Sequence, residues 1–186
     1  PISIKINNTI AFCNYGAFVN NTPNTPVFRN NIFFQNNTHV ITWRDAIDMN
    51  YNLYYPYVGN LFTSNTKSFS GDLAAWASLY GETNSLGADP QLVGGGLTVG
   101  DYQIKPGSAA IDKGVTLTQV QTDFAGTPRP QGSAYDIGAY ESADPVAHWT
   151  FNESSGTTAA DSSGYGNTGT LTGGPSFKAE KTGARL

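Results

Sequence analysis

"NNIFFQ", residues 30–35, has two close relatives in the same chain: "NNTIAF" at 7–12 and "YNLYYP" at 51–56. The three align on Asn8, Asn31 and Asn52, with spacings of 23 and 21 residues. Two positions after each Asn stands a large apolar residue: Ile10, Phe33 or Tyr54. A period of 20–25 residues with a short strand per repeat is the signature of a solenoid, in which each repeat buries its apolar face only by stacking on its neighbours. The wording does not fit hexapeptide or leucine-rich repeats, and it does fit a parallel β-helix. Each turn then places an Asn at the same corner, where stacked side-chain amides hydrogen-bond along the stack. Asn8, Asn31 and Asn52 are therefore expected to form a structural ladder. Of the 17 asparagines, 13 fall within residues 1–60, so the repeat is confined to that part of the chain.

The totals agree with such an architecture. Charged residues make up 13% of the 186, about half the usual share. The surface must be wetted by Asn, Thr, Ser and Gly, a style that suits extracellular β proteins. The net charge is -4 with no Lys/Arg cluster, which argues against nucleic acid as a partner, because phosphate neutralisation needs grouped cations. No apolar run reaches membrane-spanning length. Pro1 opens straight into "ISIKINNTI", so no signal peptide is visible, and the chain reads as a fragment. The single cysteine, Cys13, excludes an intrachain disulfide, and its apolar setting predicts a buried residue.

One helix is expected. In "SGDLAAWASLYG", Leu73, Trp76, Ala77 and Tyr80 recur at helical spacing, with Ser70 or Asp72 as N-cap and Gly81 as a left-handed stop. Short strands broken by Gly and Pro follow. Gly94–Gly96 leads into no helix and has no Lys-Ser/Thr after it, so a phosphate loop is rejected.

The closing segments carry a resemblance. "ADPQLVG", "DYQIKPGSAAIDKG" and "TDFAGTPRPQGSAYDIGAYE" are similar to the choice-of-anchor Q region that ends many bacterial right-handed β-helix proteins, whose fold resembles that of pectate lyases. "VAHWTFNESSGTTAADSSGYGNTGTLTGG" resembles the opening of a LamG-type, concanavalin-like β-sandwich. The expected fold class is all-β. Residues 1–142 are assigned to the C-terminal coils and cap of a right-handed parallel β-helix with one short helix. Residues 143–146 form a linker and 147–186 an incomplete sandwich segment. The resemblance implies a bacterial protein, secreted or on the cell surface, with a polysaccharide or cell-surface glycan as partner. Its parent would be a polysaccharide lyase working by β-elimination on an acidic polymer, a glycoside hydrolase, or a non-catalytic adhesion protein.

Pectate-lyase-like chemistry neutralises a uronate with Ca²⁺ or Arg and takes the C5 proton with Lys, Arg, Tyr or His; hydrolytic relatives use paired carboxylates. Within the coils, "NTHVITWRDAIDMN" supplies the catalytic candidates His39, Arg44, Asp45 and Asp48. Trp43 beside them reads first as a packing residue, and is also the candidate for stacking on a sugar ring. Lys5 and Arg29 are candidates for lining a groove. Asp112, Asp123, Arg129, Asp136 and Glu141 lie in the closing segment and read as structural, with Arg129 satisfying buried carboxylates or carbonyls through its planar fork. In the tail, Asp161 and Asn167 flank a Gly-rich turn and are candidate Ca²⁺ ligands, although two oxygens do not complete a site. His39 and His148 lie far apart, which argues against zinc, and no GxSxG wording occurs. "AHWTF" alternates like a half-buried strand, which would pair with the rest of its own domain, an open sheet edge or another chain.

Overall fold

The computed structural model describes residues 4–20, 23–66, 69–96, 98–142, 147–163, 166–174 and 176–177. The linker 143–146 lies outside them. The chain divides into two compact units, Pro1–Ala143 and Asp144–Leu186.

The first unit is mostly β. Nine short strands come in three successive triplets: β1 Ile4–Ile6, β2 Thr9–Ala11 and β3 Tyr15–Val19; β4 Val27–Arg29, β5 Ile32–Phe34 and β6 Thr38–Thr42; β7 Asp48–Asn50, β8 Leu53–Tyr55 and β9 Phe62–Ser64. Each strand pairs in parallel with the strand three along, giving the sheets β1-β4-β7, β2-β5-β8 and β3-β6-β9. The register places Ile10 opposite Phe33 and Phe33 opposite Tyr54, so the repeat spacing read from the sequence is the strand register. β10, Phe69–Gly71, closes the third sheet antiparallel to β9. β11, Leu86–Gly87, extends the second sheet beside β8.

The core follows from this register. Phe33, Tyr54, Phe62 and Val40 are fully buried between the sheets. Phe33 and Tyr54 stack at 5.1 Å, because equal positions on neighbouring parallel strands are superposed. α1, Leu73–Tyr80, covers this core at one end. Asp72 caps its first turn by accepting from Ala75 N at 3.0 Å, and Gly81 ends it at φ 75°. Leu73 and Trp76 are its buried residues, and Tyr80 packs partly buried against the core. Among the described residues no helix is long and apolar enough to cross a membrane.

The corners explain the asparagines. Asn7, Asn30 and Tyr51 turn the first corner at φ 50–55°, a left-handed conformation that Asn tolerates better than most residues. The next residue is the ladder position. Asn8 Nδ2 donates to Asn31 Oδ1 and Asn31 Nδ2 to Asn52 Oδ1, each at 3.0 Å. The backbone N–H groups of Asn8 and Asn31 donate to the same oxygens at 3.1 and 3.0 Å. Ser85 Oγ continues the series by accepting from Asn52 N. Asn31→Ala removes an acceptor shared by two donors and the donor that reaches Lys5 O at 2.9 Å. A loss of about 1–3 kcal/mol is expected in urea unfolding; a variant that unfolds like the parent would refute an energetic role for the ladder.

Cys13 is exposed, contrary to the expectation of burial. It follows Phe12, itself left-handed at φ 56°, and at this second corner the side chains leave the core.

The described residues of 88–142 form a closing segment of turns, isolated bridges and one 3-10 turn, Val99–Tyr102. Asn30 grips it at both atoms of Val115, donating to the carbonyl at 2.8 Å and accepting from the N–H at 2.9 Å. Its buried centre is the Arg129–Glu141 ion pair, with both side chains fully enclosed.

In the second unit, β12 Thr158–Ala159 pairs antiparallel with β13 Gly169–Thr170. "AHWTF" contributes one bridge, Trp149 to Asp161, in place of the expected strand. Ala159 is the buried hydrophobic residue of this unit among the described residues, while Trp149 and Phe151 remain exposed.

Candidate functional site

The four catalytic candidates do not converge. His39, in β6, is fully buried and lies at 5.7–6.1 Å from the rings of Phe33, Tyr54 and Phe62. Its Nε2 lies 2.7 Å from Pro56 O, which can only accept, so Nε2 carries the proton and Nδ1 accepts from the Asn36 amide at 3.3 Å. This is a neutral histidine serving the core. In contrast, Asp48 forms an ion pair with Arg29 across neighbouring strands, on the sheet β1-β4-β7. Asp45 is exposed, and Arg44 Nε reaches Ala46 O at 3.4 Å in the turn after β6. The catalytic grouping therefore fails on register: strand alternation turned His39 inward, and β7 carried Asp48 to another sheet.

Lys5 and Arg29 do not line one groove either. Lys5 is in register with Phe28, and Arg29 with Ile6. Adjacent positions of a strand face opposite ways, so the two cations lie on opposite faces of their sheet.

Burial holds the His39 pKa below its usual value, and the hydrogen bond to Pro56 works weakly against that. The unfolded chain then binds the proton more readily than the fold, so this contribution is present above about pH 6.5 and is lost as pH falls. Asp136 acts in the opposite sense. Burial is the main reason its pKa is pushed up to about 7. Its contribution is greatest below about pH 4 and declines as pH rises towards 7. The expected result is therefore a difference between chains. Relative to His39→Gln, the parent loses stability from pH 7 to pH 5 by at most about 1.4 kcal/mol per pH unit. Parallel pH profiles for the two in urea unfolding would refute the assignment.

Trp43, the aromatic candidate, reaches solvent. It is 44% exposed and meets Phe18, 52% exposed, edge-on with ring centroids 5.5 Å apart. Phe18 is opposite Ile41 in the register of β3 and β6, and Trp43 N donates to Val19 O at 2.9 Å, so the two rings are fixed on adjoining turns of chain. Tyr15, at the start of the same strand β3, is exposed as well. The result is an outward aromatic shelf with Arg44 and Asp45 next to it in sequence.

In the second unit Asp161 is a loop organiser. Its Oδ1 accepts from His148 N at 2.8 Å and Ser163 N at 2.9 Å, and its Oδ2 from Asn167 N at 2.8 Å. A hydrogen bond from the Ser163 side chain, followed by these backbone bonds, holds its pKa well below the usual carboxylate range. Asn167 presents its backbone carbonyl to Trp149 Nε1 at 2.8 Å. Among the described residues no group of three His, Cys, Asp or Glu side chains is placed to hold a metal ion.

Glu82 and Asn36, both buried, have no reading in the sequence. Glu82 accepts from Trp76 Nε1 at 2.8 Å and from Tyr54 Oη at 3.2 Å, and burial raises its pKa. Asn36 brackets the second corner, accepting from Cys13 N and donating to Ile10 O. The 23-residue spacing from Cys13-Asn14 to Asn36-Asn37 was the available signal for the latter. For Glu82, a lone acid in "YGETN", there was none.

Comparison with known proteins adds no family: no family model matches the chain, and no curated protein or solved structure matches it either.

Proposed function

We propose that this chain is part of a bacterial surface or secreted protein that holds a polysaccharide or cell-surface glycan against a right-handed parallel β-helix, without catalysis in these coils. The triplet repeat of parallel strands supports the β-helix reading. The wording of residues 88–142 supports a choice-of-anchor Q-like cap, and that of the tail a LamG-like module. The low charge and Asn-rich surface suit an extracellular setting. The observation that carries glycan contact is the Phe18–Trp43 shelf. Sugar rings pack their C–H faces on exposed aromatics, and a shelf fixed by strand register loses little entropy on doing so. Against lyase or hydrolase chemistry in these coils stands the dispersal of His39, Arg44, Asp45 and Asp48, since acid–base work needs groups within reach of one bond.

Affinity electrophoresis through gels containing pectate, alginate or a glycosaminoglycan tests this. Retardation by at least one polymer is expected, and Trp43→Ala should abolish it. Free migration in all of them, or retardation indifferent to Trp43→Ala, would refute the shelf. No rise in near-ultraviolet absorbance from unsaturated sugar ends is expected. A rise that vanished in Arg44→Ala would restore a lyase site to these coils.

A further inference from the structure

We infer that the cleft between the Ile6–Thr9 corner and residues 99–140 of the closing segment is a second site, separate from the shelf, which binds a single neutral sugar ring. The cleft encloses about 410 Å³, within the range of small-ligand pockets. Its walls differ in chemistry. On one side Phe124, 69% exposed, stands edge-on to Tyr140 at 5.7 Å, with Tyr102 and Val99 beside them. The tyrosine hydroxyls are already committed, Tyr140 to Val99 O at 2.8 Å and Tyr102 to Gly96 O at 3.1 Å, which leaves their rings held in place as an apolar wall.

The opposite wall offers uncharged polar groups. The Asn7 amide makes only long contacts, donating to Asp136 O at 3.4 Å and accepting from Asn30 Nδ2 at 3.5 Å, so it can turn to a ligand at little cost. Thr9 Oγ1 accepts from Ala139 N at 3.3 Å and keeps its own proton to donate. Thr122, in the same stretch as Phe124, adds a hydroxyl at an exposed position.

Charge decides the ligand class. Asp123 reaches the cleft, but its Oδ1 accepts from Ala125 N and Thr127 N at 2.8 and 2.7 Å and its Oδ2 from Glu141 N at 3.0 Å. Arg129 is matched by Glu141, and its Nε–H is a buried donor without a partner among the described residues. An anionic ligand would find no cation without a counter-ion here, and a cationic one no carboxylate whose oxygens are not already accepting. A ring with one C–H face and several hydroxyls matches both walls.

The test uses the full chain carrying Trp43→Ala, so that the shelf is already removed, and saturation-transfer NMR with methyl β-glucopyranoside, methyl β-galactopyranoside and galacturonate. Transfer to at least one neutral glycoside is expected, with affinity about tenfold weaker after Phe124→Ala, an exposed position whose loss leaves the core intact. Val99→Trp, which narrows the mouth, should weaken it likewise. No transfer to either neutral glycoside, transfer indifferent to both substitutions, or tighter binding of galacturonate would overturn the proposal. The shelf stands or falls separately, on the gel retardation of the chain with Trp43 intact.

Discussion

Trp76→Ala should lower the free energy of unfolding by about 3–5 kcal/mol. The indole has no solvent exposure, lies stacked on Phe62 at 5.1 Å and meets Tyr80 at 4.2 Å. Removing it leaves a cavity where α1 covers the core, and a close-packed interior refills such a gap only in part. It also takes a donor from Glu82. That carboxyl is buried, and it would be left with the Ser85 side chain and with Tyr54 Oη, at 3.2 Å to either oxygen, as donors. The midpoint of urea unfolding, with the slope unchanged, measures the loss. Trp76→Phe separates the two contributions: it keeps most of the packing and loses the N–H, so it should fall between the parent and Trp76→Ala. A Trp76→Ala chain as stable as the parent would mean that α1 contributes nothing to this unit.

Arg129→Met should cost a similar amount, about 3–5 kcal/mol, because it leaves a buried carboxylate without its counter-ion. The guanidinium bonds Glu141 and also donates to Asp136 O at 3.2 Å and Gly138 O at 2.9 Å. Glu141 keeps only the N–H groups of Asp136 and Gln131, at 2.8 and 3.1 Å. Adding Glu141→Gln to Arg129→Met removes the stranded charge and should recover part of the loss. Equal stability of the single and double variants would show that the cost lies in the carbonyls rather than the charge. An Arg129→Met chain as stable as the parent would dismiss the pair altogether.

The register of residues 7–56 was open to reading because a stacked repeat writes the same demand into the sequence several times. Each turn needs a corner residue that tolerates a left-handed backbone, an amide that bonds both up and down the stack, and a large apolar residue two places on. Asn30, Asn31 and Phe33 meet those demands in one stretch, and the spacing to the neighbouring stretches is the register itself. α1 was legible for a comparable reason: its caps and its apolar spacing are local properties of a dozen residues.

The site was another matter. His39, Arg44, Asp45 and Asp48 are neighbours along the chain, but a strand reverses its side chains at every step and a corner carries the next strand to a different sheet. Sequence proximity therefore said nothing about convergence, and the fold dispersed them. Trp43 was ambiguous between packing and solvent until its place after β6 put it beside Phe18, 25 residues earlier. Apolar neighbours predict burial for Cys13, which is exposed because the corner that turns it outward is set by the backbone. The sequence could specify whatever depends on periodicity and local conformation: the repeat, its corners, the helix and its caps. Which side chains share a surface, where Glu82 finds its donor Tyr54, 28 residues earlier, and how the Asn7 corner comes to face Phe124, more than 100 residues later, depended on the chain folding back on itself. Those contacts arise only when the chain folds back, because no local pattern encodes the partner of a residue that distant.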